Sequence, residues 1–423
     1  MKLKKFIPKL DGGLYLLFLW LVLFLSSAAF TQTQPVFQLV ESIPLETQLG
    51  SAETARTLDI WLDMIDSARK NIDMAFFYLS HKPGETLDPV IQRLEQAAAR
   101  GVKIRMIADA RMAGTYPEML DSLNTQQNIE VRKTSFYNRK NGVMHAKYFL
   151  VDDEQLFLGS QNMDWRALSH IHELGVRIHH PALGRNLKAV FEIDWKLAEN
   201  LDTDLPLEVP AVLAEPFFNR DLPAMLLLSS RDTIQVYPTA SYPEITPGGI
   251  PHDETEIVHL IDTAKEHLDI QLLSYKPGSR NHFYEILDNA LRKAAARGVQ
   301  VRMIVSNWNT RKYDMPHLKS LQMLPNIEIR ISSIPEYSGG FIPYARVEHC
   351  KFMVVDAKTL WLGTSNWSWS YFHNSRNLGL VISSQKVNQT VHDIFQKSWD
   401  SPYCQTVDIC REYTPPVISG EEE

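Results

Sequence analysis

Cysteine is scarce in this chain, and the short motifs that hold zinc are missing from it. The 423 residues include three cysteines and contain neither a CxxC nor an HExxH sequence. A zinc site needs closely spaced thiolate, imidazole or carboxylate ligands. We therefore expect no metal and no other cofactor.

Positive charge is also in short supply. Lysine and arginine total 43 against 50 acidic residues, which gives a net charge of −7 and a pI near 6.1. Proteins that coat duplex DNA need a broad cationic surface, so this class is excluded, although a local basic pocket is not. With 44% hydrophobic and 22% charged residues and no low-complexity tract, the composition is that of a globular chain long enough for two domains.

The long apolar run lies at the N-terminus. Residues 14–25 are almost wholly apolar, follow a lysine-rich start and precede the small residues of SSAAFTQTQ. This pattern predicts that residues 1–30 are either a signal peptide cleaved after Ala28 or Ala29, or an uncleaved membrane anchor, since 14–30 reaches the short limit of a spanning helix. Both alternatives place the body of the protein outside the cytoplasm, in a periplasm, an organelle lumen or the exterior.

What the chain does contain is an internal repeat. The segment VMHAKYFLVDD (143–153) returns as RVEHCKFMVVD (346–356), so the pattern HxKxxxxD occurs twice at an offset of 204 residues. At the same offset, LGSQNMDW (158–165) returns as LGTSNWSW (362–369), and Trp195 matches Trp399. Upstream, AARGVKIRMI (98–107) matches AARGVQVRMI (295–304), and NIEVR (128–132) matches NIEIR (326–330). A duplicated domain explains these matches.

Each copy alternates helical and strand patterns. Helical periodicity over 54–70 and 89–101 precedes β-forming segments at 71–79 and 102–108, and the second copy repeats this order. This order predicts an α/β fold with helices on both sides of a buried sheet. The predicted organisation is a first repeat at 36–200, an interdomain connection at 201–231, a second repeat at 232–403 and a C-terminal tail at 404–423.

The paired motifs bring together the groups that cleave a phosphodiester. On a strand, residues two apart share a face, so His145 and Lys147 project together, as do His349 and Lys351. One imidazole can attack phosphorus while the other protonates the departing alcohol, and a phosphohistidine is then broken down by water or another alcohol. The lysines would neutralise the phosphoryl oxygens without a metal, together with Asn162 and Asn366 and the hydroxyls of Ser160 and Thr364.

In these two HxKxxxxD motifs the chain resembles the phospholipase D superfamily over residues 36–403. Within it, LVESIP (39–44), NMDWRAL (162–168), IPYARV (342–347), GTSNWS (363–368) and WDSPY (399–403) are similar to the lysosomal phospholipase D three/four exonuclease group and to poxvirus envelope and nicking-joining proteins. The resemblance implies two homologous α/β/α sandwich domains with the active site at their pseudo-twofold interface. It also implies 5′-exonucleolytic cleavage of single-stranded DNA or RNA, and reported transphosphatidylation of lipids.

The same resemblance suggests His145 as nucleophile and His349 as general acid, an order that the residues alone do not establish. Superfamily members often carry an acidic residue after each motif that orients a catalytic imidazole. Glu173, 28 residues after His145, fits this role, whereas the corresponding Asn377 after His349 is a neutral amide. We therefore expect the two histidines to differ in basicity.

Several residues have two interpretations. Asp152 and Asp356 are catalytic candidates, but their odd separation from the histidines equally favours closing the strand-end turn. Trp367 is predicted to contact substrate or to lie in the core, whereas Trp369 is predicted to lie in the core. Arg346 is a candidate phosphate ligand, although surface arginines are usually solvated or ion-paired.

The three cysteines have separate predictions. Cys404 and Cys410 are spaced to close a small disulfide loop, which suits an exported protein. Cys350 lies between His349 and Lys351 and is predicted to be a small buried hydrophobic residue on the opposite face of the strand.

The sequence therefore predicts an exported, metal-independent phosphodiesterase that acts through a phosphohistidine. The favoured substrate is single-stranded DNA or RNA, cleaved from the 5′ end. The alternative is a phospholipase D or transphosphatidylase that acts on membrane phospholipids, with the N-terminal segment as membrane contact if it is retained. The oligomeric state is not predicted.

Overall fold

The structure is a computed structural model that describes residues 36–199, 213, 216–229, 232–279 and 282–419. The predicted signal peptide or anchor at residues 1–30, and most of the predicted connection at 201–231, lie outside these residues. Among the helices within the described ranges, none is both long enough and apolar enough to cross a membrane.

The first repeat alternates strands and helices as predicted. Its strands are β1 (Phe37–Ser42), β2 (Ala55–Arg56), β3 (Asn71–Phe76), β4 (Leu79–Ser80), β5 (Lys103–Asp109), β6 (Ile129–Thr134), β7 (Tyr148–Val151), β8 (Gln155–Gly159), β9 (Met163–Asp164) and β10 (Glu173–His179). Its helices are α1 (Thr57–Ser67), α2 (Asp88–Ala99), α3 (Ala110–Thr115), α4 (Glu118–Asn124), α5 (Trp165–Ser169) and α6 (Pro181–Leu197). Gly101 follows α2 at φ +94°, a left-handed conformation that suits a glycine beyond a helix end.

The second repeat has corresponding elements. Its strands are β11 (Ala224–Ser229), β12 (Asp232–Ser241), β13 (His267–Leu272), β14 (Tyr275–Lys276), β15 (Gly278–Ser279), β16 (His282–Phe283), β17 (Gln300–Ser306), β18 (Ile327–Ser332), β19 (Phe352–Val355), β20 (Thr359–Gly363), β21 (Trp367–Ser368), β22 (Asn377–Ser383) and β23 (Cys404–Thr406). Its helices are α7 (Asp253–Thr263), α8 (Glu285–Ala296), α9 (Met315–Gln322), α10 (Trp369–His373) and α11 (Gln385–Trp399).

Each repeat builds its own large sheet, and seven equivalent strands follow the same order in both, with different edge strands added. The first is β2-β1-β10-β8-β7-β3-β5-β6, and the second is β11-β12-β22-β20-β19-β13-β17-β18-β23. The strand β7 shows why both faces are covered: Phe149 and Val151 pack with α1 and α2, whereas Tyr148 and Leu150 pack on the opposite face with α6. The predicted pair of homologous α/β/α sandwich domains is confirmed.

A repeated arginine–tryptophan contact explains two of the sequence matches. The guanidinium of Arg132 lies 3.9 Å from the ring centre of Trp195 and donates to the Trp195 carbonyl at 2.9 Å. In the second repeat, Arg330 lies 4.1 Å from the ring centre of Trp399 and donates to its carbonyl at 2.6 Å. The contact ties the strand of the NIE(V/I)R segment to the end of the long helix in each repeat.

The predicted boundaries of the second repeat need two adjustments. Strand β11 lies inside the predicted connection and pairs antiparallel with β12, so this part of the connection belongs to the sheet. Within the predicted C-terminal tail, β23 pairs antiparallel with β18 and extends the opposite edge. As expected, the described end of the connection packs on the domains, since Phe218 donates to Asn186 at 2.7 Å.

The predicted disulfide is not formed. Cys404 and Cys410 are free cysteines in the structure. Cys404 is fixed in β23 opposite Ser332, whereas Cys410 lies exposed beyond the end of that strand. Burial raises the pKa of the Cys404 thiol to about 12, which disfavours its reactive thiolate.

Asp152 and Asp356 close strand connections, which is the structural one of their two predicted interpretations. The Asp152 carboxylate accepts hydrogen bonds from the backbone N–H groups of Arg69, Lys70 and Asn71, at 2.7 to 3.3 Å. Asp356 accepts from residues 265–267 in the same way, at 2.8 to 2.9 Å. Each aspartate thereby fixes the turn that leads into β3 or β13, at the far end of β7 or β19 from the histidines.

We expect Asp152→Ala to lower the free energy of unfolding by about 1 to 3 kcal/mol, because three backbone donors lose a charged acceptor. The kcat of the folded enzyme should not change. Denaturant titration and kinetics on the same preparation measure both quantities. Glu154→Ala is the control, since its exposed carboxylate lies 3.7 Å from His179 and its loss should cost less than about 0.5 kcal/mol. A stable Asp152→Ala protein without activity would restore a catalytic role.

Candidate active site

Both histidine–lysine pairs lie on extended segments just ahead of a central strand, not within it. His145 and Lys147 precede β7, and His349 and Lys351 precede β19. The backbone leaves the sheet there because it pairs with the other repeat. His145 N–H donates to the Arg376 carbonyl at 2.9 Å, and His349 N–H donates to the His172 carbonyl at 3.0 Å. These bonds bring the two motifs together at the interface between the repeats.

Each histidine side chain takes its hydrogen-bond partner from the other repeat. The Nδ1 atom of His145 lies 3.0 Å from Oδ1 of Asn377, and Nδ1 of His349 lies 2.7 Å from Oε2 of Glu173. All four residues are buried. Glu173 therefore orients the histidine of the opposite motif, and the expected difference between the histidines has a structural basis.

The contacts of Asn377 determine which nitrogen of His145 carries the proton. The Nδ2 group of Asn377 donates to the Tyr371 carbonyl at 2.7 Å, so its Oδ1 atom faces His145 and must accept. Thr364 also donates to that oxygen, at 3.0 Å. Nδ1 of His145 is consequently the protonated nitrogen of a neutral ring, and Nε2 keeps its lone pair.

The two lysines are completely buried beside the histidines. Nζ of Lys147 donates to the His145 carbonyl at 2.5 Å, and Nζ of Lys351 donates to the His349 carbonyl at 2.7 Å. Burial, followed by repulsion from both lysines, holds the pKa of each histidine well below the ordinary 6.5. Burial also lowers the pKa of Lys351 to about 8. Four basic groups in one buried site form a receptor for an anion, whose charge would relieve this repulsion.

Glu173 supplies the compensating acidic group. Burial raises the pKa of its carboxyl well above 4.5, against the opposing effect of Lys351 and Lys147. Glu173 and His349 therefore share a proton across their 2.7 Å contact and titrate as one unit. Such a unit can deliver a proton from the outer nitrogen of His349 while Glu173 stabilises the remaining charge.

The Gly-Ser/Thr-x-Asn turns are partly structural. The hydroxyl of Ser160 receives a hydrogen bond from Leu174 N–H at 3.1 Å, and that of Thr364 receives one from Leu378 N–H at 3.1 Å. These contacts link β8 to β10 and β20 to β22, so the hydroxyls stabilise the sheets. The amide oxygens of Asn162 and Asn366 are buried and have no hydrogen-bond partner within the described ranges, which keeps both amides as candidates for substrate contact.

The structure decides between the two interpretations of Trp367 and differs from the prediction for Trp369. Trp367 is completely buried and packs against Trp361 at 6.0 Å between ring centres, so the core interpretation is correct and substrate contact is not. It is drawn inward because β21 pairs with β14. Trp369 is 41% exposed, although it was predicted to lie in the core like its counterpart Trp165, which is 7% exposed.

Arg346 and Cys350 lie beside the second motif with their own contacts. The Arg346 guanidinium donates to the carbonyl oxygens of Pro335 and Leu45, at 2.6 and 2.8 Å, and thereby ties two loops together. These contacts are structural, and the buried Nη2 atom has no hydrogen-bond partner among the described residues, so the phosphate contact stays a prediction. Cys350 is fully buried, as predicted, with Sγ 3.6 Å from the His172 carbonyl.

A buried ionic cluster behind His349 has no signal in the motif pattern. The ring of His172 lies between Glu348, 2.7 Å from Nδ1, and Glu41, 2.9 Å from Nε2, and all three side chains are fully buried. Burial acts to lower the pKa of His172, but the stronger effect of Cys350 and Glu348 raises this pKa well above 6.5. Ligand atoms of His172, Glu348 and Cys350 lie within 4.8 Å of one another, yet both ring nitrogens already bind carboxylates, so ion pairing accounts for the cluster.

A second cluster occupies the corresponding place behind His145. Arg376, whose carbonyl binds His145 N–H, is fully buried and contacts both oxygens of Asp194 at 3.0 Å. Tyr137 donates to the same carboxylate at 2.6 Å. Asp194 lies in the first repeat and Arg376 in the second, so a buried ion pair crosses the interface beside each motif histidine.

Comparison with known proteins agrees with this geometry. The family described as "Cardiolipin synthase, PLD-like domain" matches residues 61–195 and 257–399, one match in each repeat. The chain belongs to this family, and thus to the phospholipase D superfamily, and it is a phosphodiesterase of that class.

Two kinds of relative are similar over nearly the whole chain. Phospholipase D Z of Dictyostelium discoideum is 33% identical over 86% of this chain and 89% of its own length. The 5′-3′ exonuclease PLD3 of Xenopus laevis is also 33% identical, over 88% of this chain and 80% of its own length. Among solved structures, the phosphatidylserine synthase of Haemophilus influenzae Rd KW20 shares the fold, with a TM-score of 0.57, 13% identity and coverage of 83% of this chain and 85% of the synthase.

The His172 cluster predicts a pH-dependent contribution to stability. Because the folded-state pKa of His172 is raised above 6.5, its stabilisation is complete below that pH and is lost as the pH rises through the folded-state pKa. Burial raises the pKa values of Glu41 and Glu348, but His172 lowers them more strongly, so both lie below 4.5. The stabilisation from these carboxylates is therefore lost as the pH falls through their folded-state pKa values. The cluster should therefore stabilise the fold fully between pH 4.5 and 6.5.

In that range, His172→Gln should lower the free energy of unfolding by about 3 to 5 kcal/mol, because two buried carboxylates lose their counterion. The difference between the variant and the unchanged protein should shrink at alkaline pH. His81→Gln is the control: His81 pairs with Asp88 in a partly exposed position, and its loss should cost less than about 1 kcal/mol. Denaturant titrations from pH 5 to about 9 test this, and a pH-independent loss for His172→Gln would contradict it.

The histidine pair predicts a bell-shaped pH dependence of kcat/KM whose acid limb lies below pH 6.5, because burial and the lysines lower the pKa of His145 below that figure. Activity falls at high pH when the Glu173–His349 unit loses its proton, and at low pH when His145 gains one. Glu173→Gln should lower kcat by about 10² to 10⁴-fold and move the alkaline limb to lower pH. Asn377→Asp should raise the pKa of His145 and move the acid limb to higher pH. Unmoved limbs in both variants would show that these partners do not tune the histidines.

Proposed function

We propose that this protein hydrolyses phosphodiesters in single-stranded nucleic acid through a phosphohistidine on His145. The observation that carries the assignment is the hydrogen bond from His145 Nδ1–H to Asn377, whose own orientation is fixed by Tyr371. Burial and the two lysines keep His145 neutral, and the bond to Asn377 places its proton on Nδ1, so Nε2 has the lone pair that a nucleophile needs. The opposite histidine has an acidic partner instead, which suits a proton donor.

The reaction then proceeds in two steps: His349 donates a proton in the first and accepts one in the second. Nε2 of His145 attacks phosphorus, the bond from phosphorus to the departing oxygen breaks, and the outer nitrogen of His349 gives that oxygen its proton. In the second step, His349 takes a proton from water, the resulting hydroxide attacks phosphorus, and the P–N bond breaks to restore neutral His145. Lys147 and Lys351 stabilise the charge on the phosphoryl oxygens in both steps.

The substrate class rests on relatives and on the surroundings of the site. The similar proteins of Xenopus laevis and Homo sapiens, at 33% and 30% identity, are both named 5′-3′ exonuclease PLD3. Aromatic rings border His145, with Phe77 at 5.1 Å and Tyr371 at 4.8 Å between ring centres. Such rings favour a nucleic acid, because nucleobases contact aromatic side chains well. Export of the protein from the cytoplasm is part of the same proposal, and it rests on the predicted signal peptide or anchor at residues 1–30.

A phospholipid substrate is the second candidate. Phospholipase D Z of Dictyostelium discoideum matches over 89% of its own length, a larger share than that of the exonucleases. The same two steps would release a lipid head group, and an alcohol in place of water in the second step would exchange it. The chemistry at phosphorus is thus common to both candidates.

Leaving-group chemistry tests the two histidine roles separately. His145→Ala and His349→Ala should each remove nearly all activity on a natural phosphodiester. On a p-nitrophenyl phosphodiester, whose leaving group needs no protonation, His349→Ala should still give a burst of p-nitrophenol and accumulate phosphohistidine. His145→Ala should give no burst. A burst in His145→Ala alone would exchange the roles, and strong inhibition by EDTA would contradict the metal-independent mechanism.

The substrate class is tested by incubating the protein with a 5′-hydroxyl single-stranded oligonucleotide, and separately with phosphatidylglycerol vesicles that contain a primary alcohol. Stepwise shortening from the 5′ end, with the lipid unchanged, is the expected result. Release or exchange of the head group with an intact oligonucleotide would replace the nuclease proposal by the phospholipase one. His145→Ala is the matched control in both assays.

A further inference from the structure

A groove of about 580 Å³ lies between the repeats, and its lining residue Asn374 is two residues from Arg376, whose carbonyl binds His145 N–H. Its walls include Lys140 and Asn141 from the first repeat and Lys276, Ser368, Trp369 and Asn374 from the second. The short helix α10 joins the groove to the active site: Tyr371 contacts the ring of His145 at 4.8 Å, and Trp369, two residues earlier, lines the groove. The groove and the site around His145 therefore adjoin the same helix.

The groove offers cations and amides to an anion. Lys140 is exposed and contacts the Tyr242 hydroxyl, while Lys276 is partly exposed with Nζ 3.5 Å from Asp314. Asn374 holds the first wall in place by donating to the Lys140 carbonyl at 2.7 Å. No carboxylate occurs among the described residues that line the groove. Asp314 offsets part of the Lys276 charge, but both charged side chains of the lining are lysines, and in a chain of net charge −7 this favours a polyanionic ligand.

The first repeat shows what makes this groove distinctive. At the offset of 204 residues, Ser368 and Ser370 correspond to Asp164 and Arg166. In the first repeat those two charges bind each other at 2.9 Å, and Arg166 also donates to the Ser80 hydroxyl. In the second repeat small serines take their places. The pseudo-twofold symmetry is thus broken on the side that forms the groove.

Two further replacements make the second side cationic and expose its tryptophan. Ser80 pairs with Asp164 between β4 and β9, and Lys276 pairs with Ser368 between β14 and β21, so Lys276 stands where the first repeat has a neutral serine. Lys82 covers the ring of Trp165 at 4.7 Å, whereas glycine occupies the corresponding position 278. Trp165 is accordingly 7% exposed and Trp369 41% exposed.

We propose that this groove binds the part of a single-stranded polynucleotide that extends beyond the scissile phosphodiester. Lys140 and Lys276 contact its phosphates, and the indole of Trp369 contacts a nucleobase. The indole is held for this purpose by stacking on His373, with 5.2 Å between ring centres. The inference rests on the nuclease function proposed above. It also gives the two sides of the scissile bond different surfaces, which an enzyme that cuts from one end of a strand requires.

The test compares a dinucleotide with an oligonucleotide of about twelve nucleotides, since only the longer substrate reaches the groove. Trp369→Ala and Lys276→Ala should each lower kcat/KM for the longer substrate by about tenfold and leave the dinucleotide nearly unchanged. Trp369→Phe should retain most of the activity, because it keeps an aromatic contact. Lys276→Ala should also lower the salt dependence of binding by about 0.7 in log–log slope. Lys358→Ala, an exposed lysine at the turn before β20, is the matched control and should change nothing.

Anisotropy measurements of oligonucleotide binding by the His145→Ala protein separate the two proposals. If both substrates are cleaved and each groove variant changes kcat/KM equally for the two, the groove assignment is overturned and the nuclease function stands. Binding that depends on Trp369 and Lys276, without cleavage by the active protein, would support the groove and overturn the nuclease function. Head-group release from lipid vesicles that is weakened by the groove variants, with no oligonucleotide binding, would overturn both.

Discussion

The architecture depends on hydrogen bonds that the histidine of each HxKxxxxD motif makes across the interface between the repeats. In the backbone, His145 binds Arg376 and His349 binds His172; in the side chains, His145 binds Asn377. Neither repeat can orient its own imidazole. The active site therefore exists only when both sheets are formed and docked, and this explains why fully buried ion pairs cross the interface beside the reacting groups. A polar interface of this kind is costly to bury unless every charge has a partner, and the partners fix the relative position of the two repeats.

The near-symmetry of the scaffold contrasts with the asymmetry of its chemistry. Seven equivalent strands follow the same order in both sheets, and the arginine–tryptophan contacts recur at 3.9 and 4.1 Å. Yet His349 faces the carboxyl of Glu173, whereas His145 faces the amide of Asn377. The cluster behind His349 is the His172 ring between two carboxylates, and the cluster behind His145 is a guanidinium paired with a single carboxylate. Because a pKa responds to such neighbours far more than strand geometry does, small side-chain changes separate the two roles while the fold stays duplicated.

The repeat in the sequence predicted much of this molecule. Period-two patterns and the offset of 204 residues identified the strands, both motifs and the difference between Glu173 and Asn377. Local patterns could not reveal which repeat each partner serves, since that depends on docking of surfaces far apart in the chain. The His172 cluster was missed for the same reason: Glu41 lies 131 residues before His172. Trp369 shows a second limit, because symmetry with Trp165 predicted burial, and a glycine in place of Lys82 removed the covering side chain.

Glu173 and Asn377 occupy equivalent positions in the two repeats. Their difference shows what a duplicated chain can do that a symmetric dimer cannot. Two identical chains that met about a true twofold axis would place the same residue behind both imidazoles, so any substitution at that position would alter both at once. A single chain that carries both copies is free of this constraint. It can change one partner while the other stays, and thus divide attack and proton transfer between two formerly equivalent histidines.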